Sequence, residues 1–418
     1  MANTLQNGEK SVRLDQADTR VRQDAGLLGA LRGFIDRVRS GDLGMLPVAI
    51  GLLLISIVFS LLNPVFLAPN NLVNLLFDAA AVGFIALGVV CVLLLGEIDL
   101  SIGSMSGLAS AIIGVLWVNS GLPLIVAIAG ALAMGALVGM LYGFLRNRFE
   151  MPSFVATLAG LLALLGLQLY ILGPTGSINL PFTSPLVRFG QILIMPTWLS
   201  YLAAVIPGVL IVLGGMRTSQ ARTAANLSST GMSVVIVKAA VLTLALVFAV
   251  YYLERGRGVP LMFGVFTLFV VLLNYALTRT QWGRSLFAVG GNAEAARRSG
   301  INVRRIRMSA FVACSTFAAL GGVFAAARLA SASQQAGSGD VNLNAIAAAV
   351  IGGTSLFGGR GSAWSALLGV LVIMAISNGL TLLNLSSSLR YMITGAVLAI
   401  AVIVDSLARR SRASHGRA

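Results

Sequence analysis

Uncharged apolar stretches long enough to cross a lipid bilayer recur along this chain, and they constrain its fold more than any other feature. From Ala81 to Leu95 the sequence reads AVGFIALGVVCVLLL, without a charge. Comparable segments cover approximately residues 46–67, 73–95, 102–118, 121–145, 153–173, 193–214, 232–253, 258–278, 308–330, 343–357, 363–384 and 390–407. A spanning helix needs about 20 largely apolar residues, and only 343–357 is too short for an ordinary span. The expected fold is an all-α polytopic membrane protein of about 10–12 transmembrane helices, some interrupted, with a candidate internal repeat. Only 10% of the residues are charged, against about 25% in soluble domains.

The net charge of +15 would suggest a nucleic-acid partner if it were clustered on a soluble face. Here the cations sit in short connections and tails, so no nucleic acid is expected. With the N-terminus cytoplasmic and every segment crossing, one side receives Arg146, Arg148, Arg217, Arg222, the run from Arg279 to Arg307, Arg360 and the basic C-terminal tail. The other side receives Arg188, Arg255 and Arg257, with Arg328 and Arg390 at span edges. Cytoplasmic loops carry the excess of Lys and Arg, so both termini are expected inside. The ERGRG turn at 254–258 is the weak point of that assignment.

Three domains follow: a cytoplasmic N-terminal tail over 1–45, a transmembrane domain over 46–407 and a basic tail over 408–418. The first 24 residues are polar, so no cleavable signal peptide is expected. Leu27, Leu28, Leu31, Phe34, Ile35 and Val38 then recur at helical spacing opposite Arg32, Asp36 and Arg39. This pattern suits an amphipathic helix on the membrane surface or one that docks on a soluble partner. Cys91 and Cys314 fall in separate apolar runs and read as packing residues. The single histidine, His415, is in the tail, which leaves no basis for a histidine-based metal or catalytic site.

Two carboxylates interrupt the apolar pattern in GEIDLSIGSMSG, at Glu97 and Asp99. Acidic residues within membrane segments are functional candidates by default, and a proton-coupled secondary transporter using Glu97 and Asp99 is one reading. A structural reading is also available. Gly96 can end the preceding helix, and Asp99 or Ser101 can cap the next. Broken backbone at membrane depth survives only inside protein or beside water, which places the stretch in the interior. The segment GGTSLFGGRGS echoes it when Gly352 is aligned with Gly96, matching also at Leu100/Leu356, Gly103/Gly359 and Ser106/Ser362. Paired interruptions of this kind point to a transport pathway. The candidate path residues are Gly96, Glu97, Asp99, Ser101, Gly103, Ser104, Gly352, Gly353, Thr354 and Ser355. The repeat can be parallel or inverted.

The longest basic connection runs from Arg279 to Met308. Within it Asn292 is suited to an N-cap, Glu294 to the first turn, Arg297 and Arg298 to the last, and Gly300 to the left-handed residue beyond the end. These residues, with Ala295 and Ala296, specify a short self-contained helix. It can lie at the lipid headgroups or insert into a soluble partner.

EAARRSG resembles the EAA-x-x-x-G core of cytoplasmic loops in bacterial ABC importer permeases, though no I-x-L-P follows it. The blocks GEIDLSIGS, MPSFVATLAG, AVGGNAEAARRSGINV and NAIAAAVIGGTSLFGGRGS resemble, in order, the ribose/xylose/galactose branch of those permeases from about residue 70 to 407. The additional apolar helices between about 193 and 253 are similar to the longer, xylose-type subunits. The resemblance implies a homodimeric inner-membrane permease that moves xylose or a related monosaccharide. It further implies an ABC ATPase subunit docked on Asn292–Gly300, a periplasmic sugar-binding protein and surrounding membrane lipid. Neither Lys10 nor Lys238 follows Gly, so the chain lacks a Walker A loop. No enzymatic activity and no cofactor are expected in this chain, and ATP would be bound by the partner.

Overall fold

The computed structural model describes residues 29, 46–229 and 231–414. The expected N-terminal amphipathic helix, residue 29 apart, and the last residues of the basic tail lie outside them. The described chain is almost entirely helical: α1 (Leu46–Leu62), α2 (Pro69–Leu93), α3 (Ile102–Ile113, continued by a π-helical turn over Gly114–Asn119), α4 (Leu124–Arg148) and α5 (Ser153–Leu172). After the short strand β1 (Ser177–Asn179) come α6 (Pro185–Gln191), α7 (Thr197–Ala224), α8 (Met232–Glu254), α9 (Leu261–Arg279), α10 (Gln281–Gly291), α11 (Ala293–Arg298) and α12 (Val303–Leu329). Strand β2 (Ser331–Ser333), α13 (Val341–Ile351), α14 (Ala363–Leu382) and α15 (Ser387–Ser414) complete it.

Among the described residues nine helices are long and apolar enough to cross a membrane, while α1 and α13 are shorter. Proline sets many of their starts. Pro123, Pro152, Pro196 and Pro260 occupy N-cap positions, and Pro69 and Pro185 the first helical turn. Proline is tolerated there because those amides have no intrahelical acceptor.

The chain forms two compact units. The first includes residues 196–255, and the second comprises residues 44–195 and 256–407. In the first, α7 and α8 form a helical hairpin. Gly208 faces Thr243 and Ala239, Gly215 faces Val235, and the Thr197 hydroxyl donates to Glu254 at 3.2 Å.

In the second unit α12 is the central helix, packed against α2, α3 and α4. Its contact with α4 follows the stripe Gly135, Gly139, Gly143, whose missing side chains admit the α12 backbone around Ser315, Phe311 and Met308. Small residues one helical turn apart permit this approach where lipid supplies no hydrophobic drive.

Polar contacts sort the connections of this unit to two ends. At one, Asn147 Nδ2 donates to the Arg304 carbonyl at 2.9 Å and Gly359 N to the Leu94 carbonyl at 2.8 Å. At the other, β1 pairs antiparallel with β2, and Met195 N donates to the Val259 carbonyl at 2.8 Å. The segment expected to be too short, 343–357, forms the 11-residue α13. Such a helix is about 16 Å long, roughly half of the ~30 Å hydrocarbon core. The non-helical residues before it are held by neighbouring helices. Gln168 Nε2 donates to the carbonyls of Ser333 (2.9 Å) and Ala336 (3.0 Å), and Gly103 N donates to Asn342 Oδ1. Two carbonyls of the backbone before α13 are thereby satisfied by α5, and Asn342 of α13 in turn takes an amide in the first turn of α3.

Candidate transport path and coupling loop

At the first interruption, Gly96 adopts φ +73°, donates from its amide to the Leu93 carbonyl at 2.8 Å, and is followed by a bond from Glu97 N to the Val92 carbonyl at 3.1 Å. This pair of bonds is a Schellman ending, which needs a left-handed residue where Gly96 stands. The expected cap on α3 is not made, since neither Asp99 nor Ser101 bonds an amide of that helix's first turn through its side chain. Instead Asp99 Oδ1 accepts from the Ser101 amide (2.8 Å) and hydroxyl (2.7 Å), folding the carboxylate back on its own loop. The Cys314 thiol donates to Asp99 Oδ2 at 3.7 Å. The nearby amides of Ile98 and Leu100 are taken by Ser153 Oγ and Thr157 Oγ1 of α5, at 3.2 and 3.1 Å.

Glu97 has a different task. Its Oε1 lies 2.8 Å from Arg146 Nε at the end of α4 and 3.6 Å from Arg307 Nε at the start of α12. One buried carboxylate therefore joins three connections at this end of the unit.

The second interruption repeats the first with a shift. Gly353 (φ +105°) donates to the Val350 carbonyl at 2.9 Å, and Thr354 N to the Ala349 carbonyl at 3.0 Å. The structural counterpart of Gly96 is therefore Gly353, one residue beyond the Gly352 of the sequence alignment. Gly352 itself packs against the Ser365 carbonyl. Ser355 Oγ then accepts from Phe357 N at 3.2 Å, a hydroxyl version of the turn built by Asp99. The two interruptions touch: besides the bond from Gly359 to Leu94, Gly358 lies against the Gly96 amide.

Gly290 of α10 packs on both, and a Cβ there would run into the Leu94 carbonyl oxygen and the Gly359 amide. Two residues on, Asn292 Oδ1 accepts from Ala295 N at 2.9 Å and caps α11. Glu294 Oε1 receives Arg297 Nη2 at 2.9 Å and Arg298 Nε at 3.2 Å. Those hydrogen bonds, Arg297 first, hold the Glu294 carboxyl below its usual range. Gly300 (φ +84°) closes the helix, its amide bonded to the Arg297 carbonyl and that of Ile301 to Ala296, both at 3.0 Å. Ala296 faces inward while Glu294, Arg297 and Arg298 are exposed. The result is a self-capped, charged peg whose root, at Gly290, touches both helix breaks.

Of the candidate path residues, Glu97, Asp99, Ser101, Gly103, Ser104, Gly352, Thr354 and Ser355 are buried within the single chain, while the two turning glycines, Gly96 and Gly353, are exposed. Sequence reasoning did not single out a polar cavity of about 220 Å³ lined by Asp340, Asn344, Ser377, Ser387, Arg390 and Tyr391, among others. It lies beside the start of α13, between the later turns of α14 and the first turns of α15. Asn344 Nδ2 donates to Asp340 Oδ2 at 3.0 Å, and Arg390 donates to Thr381 and Ser387. Such a mixture of hydroxyls, amide, carboxylate and guanidinium beside an aromatic ring can exchange hydrogen bonds with a small polyhydroxylated ligand. Asp340 and Arg390 were visible in the sequence only as charges near span ends. The arginine partners of Glu97 were likewise hidden, because they are 49 and 210 residues away in the sequence.

The family described as "Branched-chain amino acid transport system / permease component" matches residues 71–402. The xylose transport system permease protein XylH of Escherichia coli is 35% identical over 352 residues, covering 82% of this chain and 87% of that protein. The Haemophilus influenzae protein of the same name is 33% identical over 376 residues, 88% of this chain and 98% of its own length. The ribose import permease protein RbsC of E. coli is 31% identical over 358 residues, 85% and 92% of the two chains. No solved structure matches the chain. With its apolar helices and a family match across most of its length, this chain is a multi-pass inner-membrane protein belonging to the permease-component family of ABC transport systems, in the branch that contains the xylose and ribose permeases.

Proposed function

We propose that this chain is the membrane-spanning subunit of an ABC importer that carries a monosaccharide, xylose or a related pentose, from periplasm to cytoplasm. The observation that carries the reading is the contact of both helix breaks with Gly290, at the root of the α11 peg. A push on α11 from a soluble ATPase is delivered through that root to the two interruptions, on top of the likeness to sugar permeases. Asn292, Glu294, Ala295, Ala296, Arg297, Arg298 and Gly300 form the docking helix. ATP is held by the partner, and two copies of this chain receive sugar from a periplasmic binding protein.

The arginine-rich end, with α10 and α11, faces the cytoplasm in this reading, and both termini lie on that side. The ERGRG turn goes to the opposite face in this reading, where Arg257 donates to Asn74 and lies over Phe77. Sugar would enter beside the cavity at Asp340 and Arg390 and leave past the breaks at Gly96–Ser104 and Gly352–Ser355. Neutral hydroxyls and backbone groups along such a path give the weak contacts a passing ligand requires. The proton-coupled alternative loses one of its two carboxylates to the Arg146–Arg307 clamp.

The test is uptake into proteoliposomes containing this chain, its genomic-neighbour ATPase and binding protein. Uptake that requires ATP and persists with a protonophore is expected. ATP-independent uptake that the protonophore abolishes would overturn the proposal. Replacing Glu294 and Gly300 together by Ala is expected to leave the spans folded and to uncouple ATP hydrolysis from uptake by at least about tenfold, a loss of about 1.4 kcal/mol of coupling.

A further inference from the structure

Along the face shared by α4 and α12, and bordered by Phe269 of α9, runs an open groove of about 1070 Å³ with mainly apolar walls. It extends from Leu132 to Arg148 on α4 and from Arg304 to Leu320 on α12. At 1.5 Å per residue this is roughly 24 Å, close to the ~20–23 Å of one leaflet with its headgroup layer. Arg148, Arg304 and Arg305 stand together at one end, all exposed. None of the three forms an ion pair with a carboxylate among the described residues. Their neighbours Arg146 and Arg307 are occupied by Glu97. The bond from Asn147 to the Arg304 carbonyl ties the two helix ends into one rim. At the opposite end of the same unit, Arg328 is paired with Asp78 at 2.7 Å and lies over Phe77.

We infer that this groove retains one glycerophospholipid with an anionic headgroup, its phosphate at Arg148, Arg304 and Arg305 and an acyl chain against Met140, Phe144 and Val312. Apolar length and an excess of cations at a single end, where five arginines outnumber Glu97 and Glu150, match an amphiphilic anion. A second copy of this chain is the poorer occupant, because it would bring another arginine rim into the same contact. Basic pockets between transmembrane helices are suited to anionic headgroups, with each arginine contributing about fivefold in affinity.

Native mass spectrometry of the full chain, released from nanodiscs of equal phosphatidylglycerol and phosphatidylcholine, tests this. The wild type is expected to retain phosphatidylglycerol selectively. The variant R304Q/R305Q should lower that selectivity by about 25-fold, while R279Q/R284Q, at the same end outside the groove, should leave it unchanged. Ala313→Phe obstructs the groove with every arginine kept, and should also release the lipid. Equal retention by wild type, R304Q/R305Q and Ala313→Phe would overturn the inference. So would efficient disulfide cross-linking between two copies through Met140→Cys, which would identify a second chain as the occupant.

Discussion

The loops at 94–101 and 352–362 end their leading helices with the same pair of backbone bonds but are anchored by different chemistry. The first carries Glu97 and Asp99, and its neighbouring amides are taken by hydroxyls of α5. The second has no acidic residue, builds its turn with Ser355 Oγ, and relies on glycine-lined contact with the first loop and α10. A helix can therefore stop inside this protein without any carboxylate. The carboxylates in the first loop also serve attachments that Ser355 does not make: Glu97 to two arginines, and Asp99 to Cys314.

Three substitutions would break or sharpen that contrast. The largest effect belongs to Glu97→Ala, which strands Arg146 and Arg307 beside each other. Both arginines keep about a quarter of their side chains in contact with solvent, so the cost is that of a charge-assisted hydrogen bond, about 1.5–3 kcal/mol. Unfolding in mixed micelles should reveal a loss of that order, and a change no larger than for an exposed residue would show that Glu97 is not a clamp.

Next come Gly96→Ala and Gly353→Ala. Each forces a Cβ onto a positive-φ residue, at about 1–2 kcal/mol. Gly96 also faces the Phe357 carbonyl oxygen at 3.3 Å, whereas only Ser365 Oγ, at 4.0 Å, comes near Gly353. Both variants should lose stability in the same assay, Gly96→Ala through packing as well as through its backbone. A Gly96→Ala protein as stable as the wild type would show that this helix ending does not need glycine.

The smallest effect is expected from Asp99→Asn. Its amide oxygen can still accept from the Ser101 amide and hydroxyl, so stability should change by less than about 1 kcal/mol, the scale of one neutral hydrogen bond. ATP-driven uptake should persist. Loss of uptake by a stably folded Asp99→Asn protein would return the carboxylate to a functional role.

Much of this architecture was legible from hydropathy, because backbone in lipid must close its hydrogen bonds locally and long apolar runs leave little but helix. The expected short segment at 343–357 became a half-length helix, and the caps around α11 were readable because N-cap side chains and a left-handed glycine act within a few residues. Legibility ended where partners are distant. The cap expected of Asp99 or Ser101 was replaced by a local turn, and the Gly103 amide in the first turn of α3 goes instead to Asn342 Oδ1, 239 residues away on α13. The echo was read one residue out of register, because Gly352 and Gly353 are adjacent and only φ distinguishes which one turns the chain.

Residue order alone thus determined that this protein is a bundle of membrane helices, where most of them begin and stop, and that its longest basic loop carries a self-capped helix. Those properties depend on interactions within a turn or two of the chain. Tertiary structure alone decided that Glu97 joins Arg146 to Arg307, that Gly290 sits on both interruptions, and that Asp340 and Arg390 border one cavity. Each of these depends on which helices become neighbours across long sequence separations, through close approaches such as the α4 glycines on α12 and Gly369 of α14 on the Ala348 backbone of α13.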